Sequence, residues 1–173
     1  MIEKNAEGGQ ALLRLLEQQE ADLVFDSFDR RDALRLGTML SETALGFRFP
    51  LTVRIFMGDI IAYQFAMARG EENRFGWTLR KYALLKATGH ASMHGKVRME
   101  LMHELSDFAE HQDIYGFGCG AFPITVKDQG IIGAAVVSGL PDPEDHILVV
   151  HAIETMLGKK TVELPPEVDR TFF

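Results

Sequence analysis

The sequence predicts an α+β fold in which an antiparallel sheet is covered by helices. Two candidate β-hairpins and the helical patterns around them carry that expectation, together with a length of 173 residues that suits one domain. Hairpins join neighbouring antiparallel strands, whereas a doubly wound parallel sheet needs a helical crossover between successive strands.

The elements follow in order. "GGQALLRLLEQQE" places Leu12, Leu13, Leu15 and Leu16 among polar positions, as a short amphipathic helix does. "DLVFDSF" alternates Leu23 and Phe25 with Asp22 and Asp26, the pattern of a brief strand. Asp29 can cap the helix "RRDALRLGTMLSETALG", whose Leu34, Met39, Leu40 and Leu45 suit a buried stripe and whose Gly46 can end it. "LTVRIFM" and "IIAYQFAM" are rich in β-branched and aromatic residues, and Gly58-Asp59 between them fits a type II′ turn. Helical stretches over 73–88 and 92–108 are split by Gly89, with Ser92 as the natural N-cap of the second. A second hairpin joins "AFPITV" to "IIGAAVVSG" through "KDQG", read as a type I turn with a following left-handed residue. In "PDPEDHILVVHAIETMLGKK", Asp142 can cap a helix, Pro143 fits its first turn, Asp145 stands as capping partner and Gly158 can close it. The main domain spans 1–160, and 161–173, with two prolines and an aromatic end, forms a surface tail or docks on a neighbouring subunit.

Composition narrows the function classes. The formal net charge of −7 argues against broad nucleic-acid binding, which needs Lys and Arg to neutralise phosphates. No run of about 18 apolar residues provides a membrane span, and the polar opening "MIEKNAEGG" does not read as a signal peptide, so a cytoplasmic protein without membrane contact is the simplest expectation. One cysteine, Cys119, excludes an internal disulfide framework and a cysteine-rich zinc site.

Several segments carry chemical potential, each beside a plainer reading. "GFGCGAF" could bring backbone amides close to an anion, but a strand follows it where a dinucleotide fingerprint needs a helix; Gly116, Gly118 and Gly120 otherwise permit a close approach to the sheet. Cys119 would need a base and a lowered pKa to act as a nucleophile, and is otherwise a small buried residue. Arg80 and Lys81 diverge by about 100° on a helix, while Arg74, Trp77 and Lys81 share a side that could hold an anionic or planar ligand or simply pack and pair. His90 and His94 would share a face on one continuous helix, but Gly89 and Ser92 place a joint there, which leaves His94 alone as a ligand-side candidate. His103 with Glu104 and His111 with Asp113 lack metalloprotease spacing, and His146 and His151, five apart, do not share a face. Met93, Met99 and Met102 suit an adaptable core edge.

"GDIIAYQFAMARG", "NRFGWTLRKYALLKATG" and "GFGCGAFPITVKDQGIIGAAVVSGLPDPEDH" together resemble the haem-degrading-domain family (GlcG/HbpS-like), in particular its uncharacterised branch with an Asn, a Trp and an Arg-Lys pair on one helix. The likeness runs over 10–158, with Cys119 where the family often has the first of two glycines. It implies a five-stranded, profilin-like or PAS-like antiparallel sheet, homo-oligomers, and binding of haem or another small ligand. The expected protein is therefore a cytoplasmic, oligomeric binder of a small anionic or planar ligand, a tetrapyrrole by resemblance. Its pocket would lie between the Trp77/Arg80/Lys81 helix and Gly118, Gly120 and Phe122, with His94 at the rim. No catalytic or metal residue is assigned. The competing expectation is an interaction or scaffold protein without small-molecule chemistry, resting on the absence of a triad, paired-carboxylate or metal pattern and on the aromatic tail.

Overall fold

A computed structural model describes residues 1–67 and 76–173. The expected helix start at 73–75, with Asn73 and Arg74, lies outside the described residues. In chain order the elements are α1 (Ala6–Asp22), β1 (Val24–Phe25), α2 (Arg30–Phe47), β2 (Thr52–Met57), β3 (Ile60–Ala66), α3 (Trp77–Thr88), α4 (Ser92–Met102), α5 (Ser106–Ala109), β4 (Ala121–Val126), β5 (Gly130–Ser138) and α6 (Glu144–Leu157).

The five strands form one sheet in the order β1-β4-β5-β2-β3. Both hairpins pair antiparallel, and β2 joins them by pairing antiparallel with β5. The fully antiparallel expectation needs one correction: β1 runs parallel to β4, with Val24 opposite Thr125 and Phe25 opposite Val126. A tight hairpin dictates strand direction, but β1 leads into α2 rather than a turn, so its direction is not fixed locally. Because β1 reaches only Thr125 and Val126, Pro123 sits in β4 where no neighbour on that side needs its missing N–H.

Alternation along the strands divides the core. Ile55, Phe122, Ile124, Ala135 and Val137 face α2 and α6, packing with Leu36, Leu40, Val149 and Ile153. Phe56, Ala121, Ala134 and Val136 face the other way and receive Tyr82 and Leu85 of α3. A separate cluster joins Leu12, Leu13 and Leu16 of α1 to Met93, Val97 and Leu101 of α4, closed by Cys119 and by Val168 and Phe172 of the C-terminal segment.

Local details confirm some expectations and revise others. Asp29 caps α2 and forms a reciprocal capping box with Asp32. Gly46 does not end that helix, which continues to Phe47 and closes on Arg48 at φ 57°. Gly58 alone of its pair adopts positive φ (57°), as the first central position of a type II′ turn requires. In the second hairpin positive φ falls on Asp128 as well as Gly130, unlike a type I turn with a single left-handed residue after it. Gly89 ends α3 at φ 73°. Ser92 lies inside α4 rather than capping it, and its hydroxyl instead accepts the Ala121 N–H (3.0 Å), tying the helix start to β4. That helix stops at His103 (φ 57°), well short of residue 108. Asp142 does not cap α6: one carboxylate oxygen accepts the Cys119 N–H (2.7 Å) and the other pairs with Lys96 (3.1 Å). No described helix is long and apolar enough to cross a membrane.

Candidate functional site

Helix α3 sends its two adjacent cations in opposite directions, as their 100° separation requires. Lys81 points inward and is only 3% exposed; its Nζ donates to Asp145 Oδ2 (2.9 Å) and to the Val137 carbonyl (3.0 Å). Asp145, equally buried, also accepts from the N–H groups of Gly139 and Leu140. Burial pushes the Asp145 carboxyl above its usual range, while Lys81 and the Leu140 N–H pull it back. Lys81 therefore joins α3 to the end of β5 and the first turn of α6.

Arg80 points outward over the Trp77 ring, its guanidinium carbon 4.2 Å from the ring centroid. Its Nη1 donates to the Gln112 carbonyl (2.6 Å), and its backbone carbonyl accepts the Gly116 N–H (3.0 Å). Nε is buried without a hydrogen-bond partner among the described residues. A guanidinium held over an indole is a half-buried planar cation, of the kind that suits a carboxylate or an extended π-system.

The glycine loop lies directly on this helix. A Cβ at Gly116 would stand 3.0 Å from Arg80 Cβ, and one at Gly118 would stand 3.0 Å from Lys81 Cε. At Gly120 it would meet the Val137 carbonyl at 2.5 Å and Asp145 Cβ at 2.8 Å, on backbone at φ 121°. The glycines thus seat the loop on α3. Trp77, Arg80, Lys81, Gly118 and Gly120 do come together, but as packed neighbours, with Trp77 and Arg80 half-buried.

His94 and Phe122 lie elsewhere. Phe122 is buried between the sheet and α6, edge-on to His146. His94 sits in the first turn of α4, after the helix break at Gly89. There its ring stacks on His90 with centroids 4.0 Å apart and planes 13° from parallel. The chain break at Gly89 does not keep the two imidazoles apart; it lets His90 fold back over the first turn of α4. His90 Nδ1 donates to Glu20 (2.8 Å), and His94 Nε2 donates to Glu17 (3.2 Å). Burial lowers the His94 pKa, with the Glu17 carboxylate opposing.

Cys119, Glu104, His146 and Met93 are taken up by the fold itself. Cys119 is fully buried, and burial pushes its thiol well above the ordinary range, away from the thiolate a nucleophile needs. Glu104 pairs with Arg98 (2.7 Å). His146 bonds Gln19 (2.8 Å) in the interior. Met93 is core, and no group of metal-binding side chains occurs among the described residues. Two clefts of about 220 and 310 Å³ run between α6 and the C-terminal segment, meeting at Ile147 and Leu164.

Asp145, Gln112, Glu17 and Glu20 were not anticipated as partners. Glu17 and Glu20 carry a weak sequence signal, three apart on one face of an amphipathic helix. For Asp145, 64 residues from Lys81, none exists.

Comparison with known proteins places this architecture. The family described as haem degrading protein HbpS-like matches residues 28–154. UPF0303 proteins of Brucella anthropi (33% identical, covering 90% of this chain and 92% of the relative) and Streptomyces coelicolor (34%, covering 83% and 92%) are similar over nearly their whole length. Among solved structures the fold is shared with the Ybr137w protein (TM-score 0.75, 22% identity, 84% and 87% covered) and with HbpS (TM-score 0.60, 14% identity, 76% and 90% covered). The chain belongs to the HbpS-like haem-degrading family.

Proposed function

We propose that this protein binds a planar, anionic small ligand of the tetrapyrrole class on the outer face of α3, with Trp77 and Arg80 as the contact residues. The observation that carries this reading is the Arg80 guanidinium lying 4.2 Å over the Trp77 ring and fixed by the Gln112 carbonyl. Fixing the cation before binding removes much of the side-chain ordering cost of gripping a carboxylate. Lys81, Gly118 and Gly120 act behind it: the buried ion pair and the close-packed loop hold α3 in place. Family membership supports haem as one such ligand.

The donor set fits the periphery of haem rather than its iron. Arg80 would hold propionates and the indole would meet the macrocycle, whereas neither Trp77 nor Arg80 has the chemistry to ligate iron. When bound, haem would bring redox chemistry of its own; the chain's residues here bind and orient. Recognition through the periphery predicts that iron-free protoporphyrin IX binds about as well as haem.

Trp77 is the only tryptophan, so its fluorescence reports on this face alone. Titration with haem and with protoporphyrin IX should quench it, and haem should shift and sharpen its Soret band. Arg80→Ala should weaken both affinities by about tenfold or more, the scale of one lost charge-assisted contact. No quenching and no Soret change at micromolar ligand would remove the proposal. Native mass spectrometry of freshly purified protein would report any retained ligand together with the subunit number, for which the family resemblance suggests a homo-oligomer.

The scaffold alternative drew on an aromatic tail free to reach a neighbour. Val168 and Phe172 are instead buried in the chain's own α1/α4 cluster, which favours the ligand-binding reading.

A further inference from the structure

We propose that His90, His94, Glu17 and Glu20 form an acid-sensitive clasp that holds α1 against the start of α4 and loosens when both imidazoles become protonated. The clasp uses none of the residues of the Trp77–Arg80 face and does not depend on what binds there.

The geometry permits limited positive charge. Two imidazoles stacked at 4.0 Å tolerate one proton's charge far better than two. Each already donates one N–H to a carboxylate of α1, at 2.8 Å for His90 and 3.2 Å for His94. Protonating His94 would add an N–H at Nδ1, which is buried and has no acceptor among the described residues. The facing charged groups are Glu17 and Glu20 from α1 and Arg98 from α4. Arg98 and His90 both oppose charge on His94, while Glu17 favours it. From α3, the Thr88 hydroxyl reaches the His90 carbonyl (3.5 Å).

Glu20 extends the clasp to the backbone. No side chain of α4 caps its own N-terminus; Glu20 Oε1 instead accepts the Ala91 N–H (2.7 Å) while Oε2 holds His90. One carboxylate therefore caps one helix, orients one histidine and is anchored in a third place, on α1. Burial raises the Glu20 pKa, so protonating that carboxyl favours the closed interface, and opening in acid comes from the imidazoles alone. The interface they guard contains Leu12, Leu13 and Leu16 against Met93, Val97 and Leu101, a cluster separate from the sheet core, so it can open without unfolding the sheet.

Hydrogen exchange on the full chain at pH 7.5 and 5.5, corrected for intrinsic exchange rates, tests the clasp. Protection in 6–22 and 90–102 should fall severalfold, up to about tenfold, at pH 5.5 while β4 and β5 stay unchanged. A His90→Gln/His94→Gln variant keeps side-chain N–H donors but cannot titrate, and should lose this response. His146→Gln, which alters the other polar contact to α1 through Gln19, should retain it. A uniform loss across the sheet, no loss, or the same local loss in the double glutamine variant would overturn the proposal. Should that variant fail to fold, proton NMR of the wild-type chain still decides: the two imidazoles should titrate in separated steps, and independent titrations near pH 6.5 would refute the coupling.

Discussion

Lys81 Nζ and Asp145 Oδ2 stand 2.9 Å apart with both side chains almost wholly removed from water. The pair connects a helix on one face of the sheet to a helix on the other, past the end of β5, where Val137 supplies a further acceptor. Burying two charges is costly, and the Val137 carbonyl and the Gly139 and Leu140 N–H groups help to offset it beside the Coulomb attraction.

Removing one partner should therefore be far worse than removing both. Lys81→Met leaves a buried carboxylate uncompensated and should cost about 3–5 kcal/mol in denaturant unfolding. Adding Asp145→Asn retains an acceptor for the Leu140 N–H without a charge, and should recover part of that loss. Equal destabilisation by the single and double variants would show that the ion pair is not what couples these elements.

The glycines on α3 should differ sharply among themselves. Gly120→Ala introduces a Cβ against the backbone carbonyl of Val137, on a φ of 121° that side chains rarely adopt, and should cost about 2 kcal/mol or more. Gly118→Ala meets Lys81 Cε at 3.0 Å, where a displacement of a few tenths of an ångström on unstrained backbone suffices, and should cost less. Parallel chemical denaturation of the two variants checks the order. Equal costs would mean that the loop is free to move off the helix.

This difference marks where sequence reasoning reaches its limit. The hairpins, the α2 cap and the α3 stop at Gly89 are local events, fixed by residues a few positions apart, and were legible. The divergence of Arg80 from Lys81 followed from helix geometry, and so did the suspicion that three alternating glycines mark a close approach. What approached what was not legible: Lys81 meets Asp145 across 64 residues, and His90 and His94 stack only because Glu17 and Glu20 receive them from α1. The direction of β1 was missed for the same reason, because no turn connects it to its partner. The helix joint argued correctly against one continuous helix, yet the stacking it seemed to forbid occurs across the break.

Buried His146 predicts acid sensitivity of the whole fold. Its pKa is lowered to about 4 by burial, against 6.5 in the unfolded chain. The unfolded chain takes up the proton first, so the contribution is complete above pH 6.5 and is lost as pH falls towards 4. Two and a half units correspond to about 3 kcal/mol across that window. Asp145 and Glu20, whose pKa values are raised, work in the opposite sense, so the measurable quantity is a difference between proteins. His146→Gln should reduce the loss of stability between pH 7 and 4.5 by about 2–3 kcal/mol. An unchanged pH profile would mean that water reaches this histidine in the folded protein.

The C-terminal segment should behave as core rather than appendage. Val168 and Phe172 fill the end of the α1/α4 cluster, and Lys96 lies 5.1 Å from the centroid of the Phe173 ring. Phe172→Ala removes a nearly buried aromatic ring from a small cluster with few alternative contacts, and should cost about 3 kcal/mol or more. Deleting 163–173 should expose Leu12, Leu16, Met93 and Val97, raising binding of a hydrophobic dye and lowering the unfolding midpoint. A subunit mass by native mass spectrometry separates this from a role in assembly. If the deletion lowers the oligomer mass while the residual monomer unfolds at the wild-type midpoint, the segment serves a neighbouring subunit and its packing here is dispensable; if the midpoint falls with the mass unchanged, its place is in this cluster.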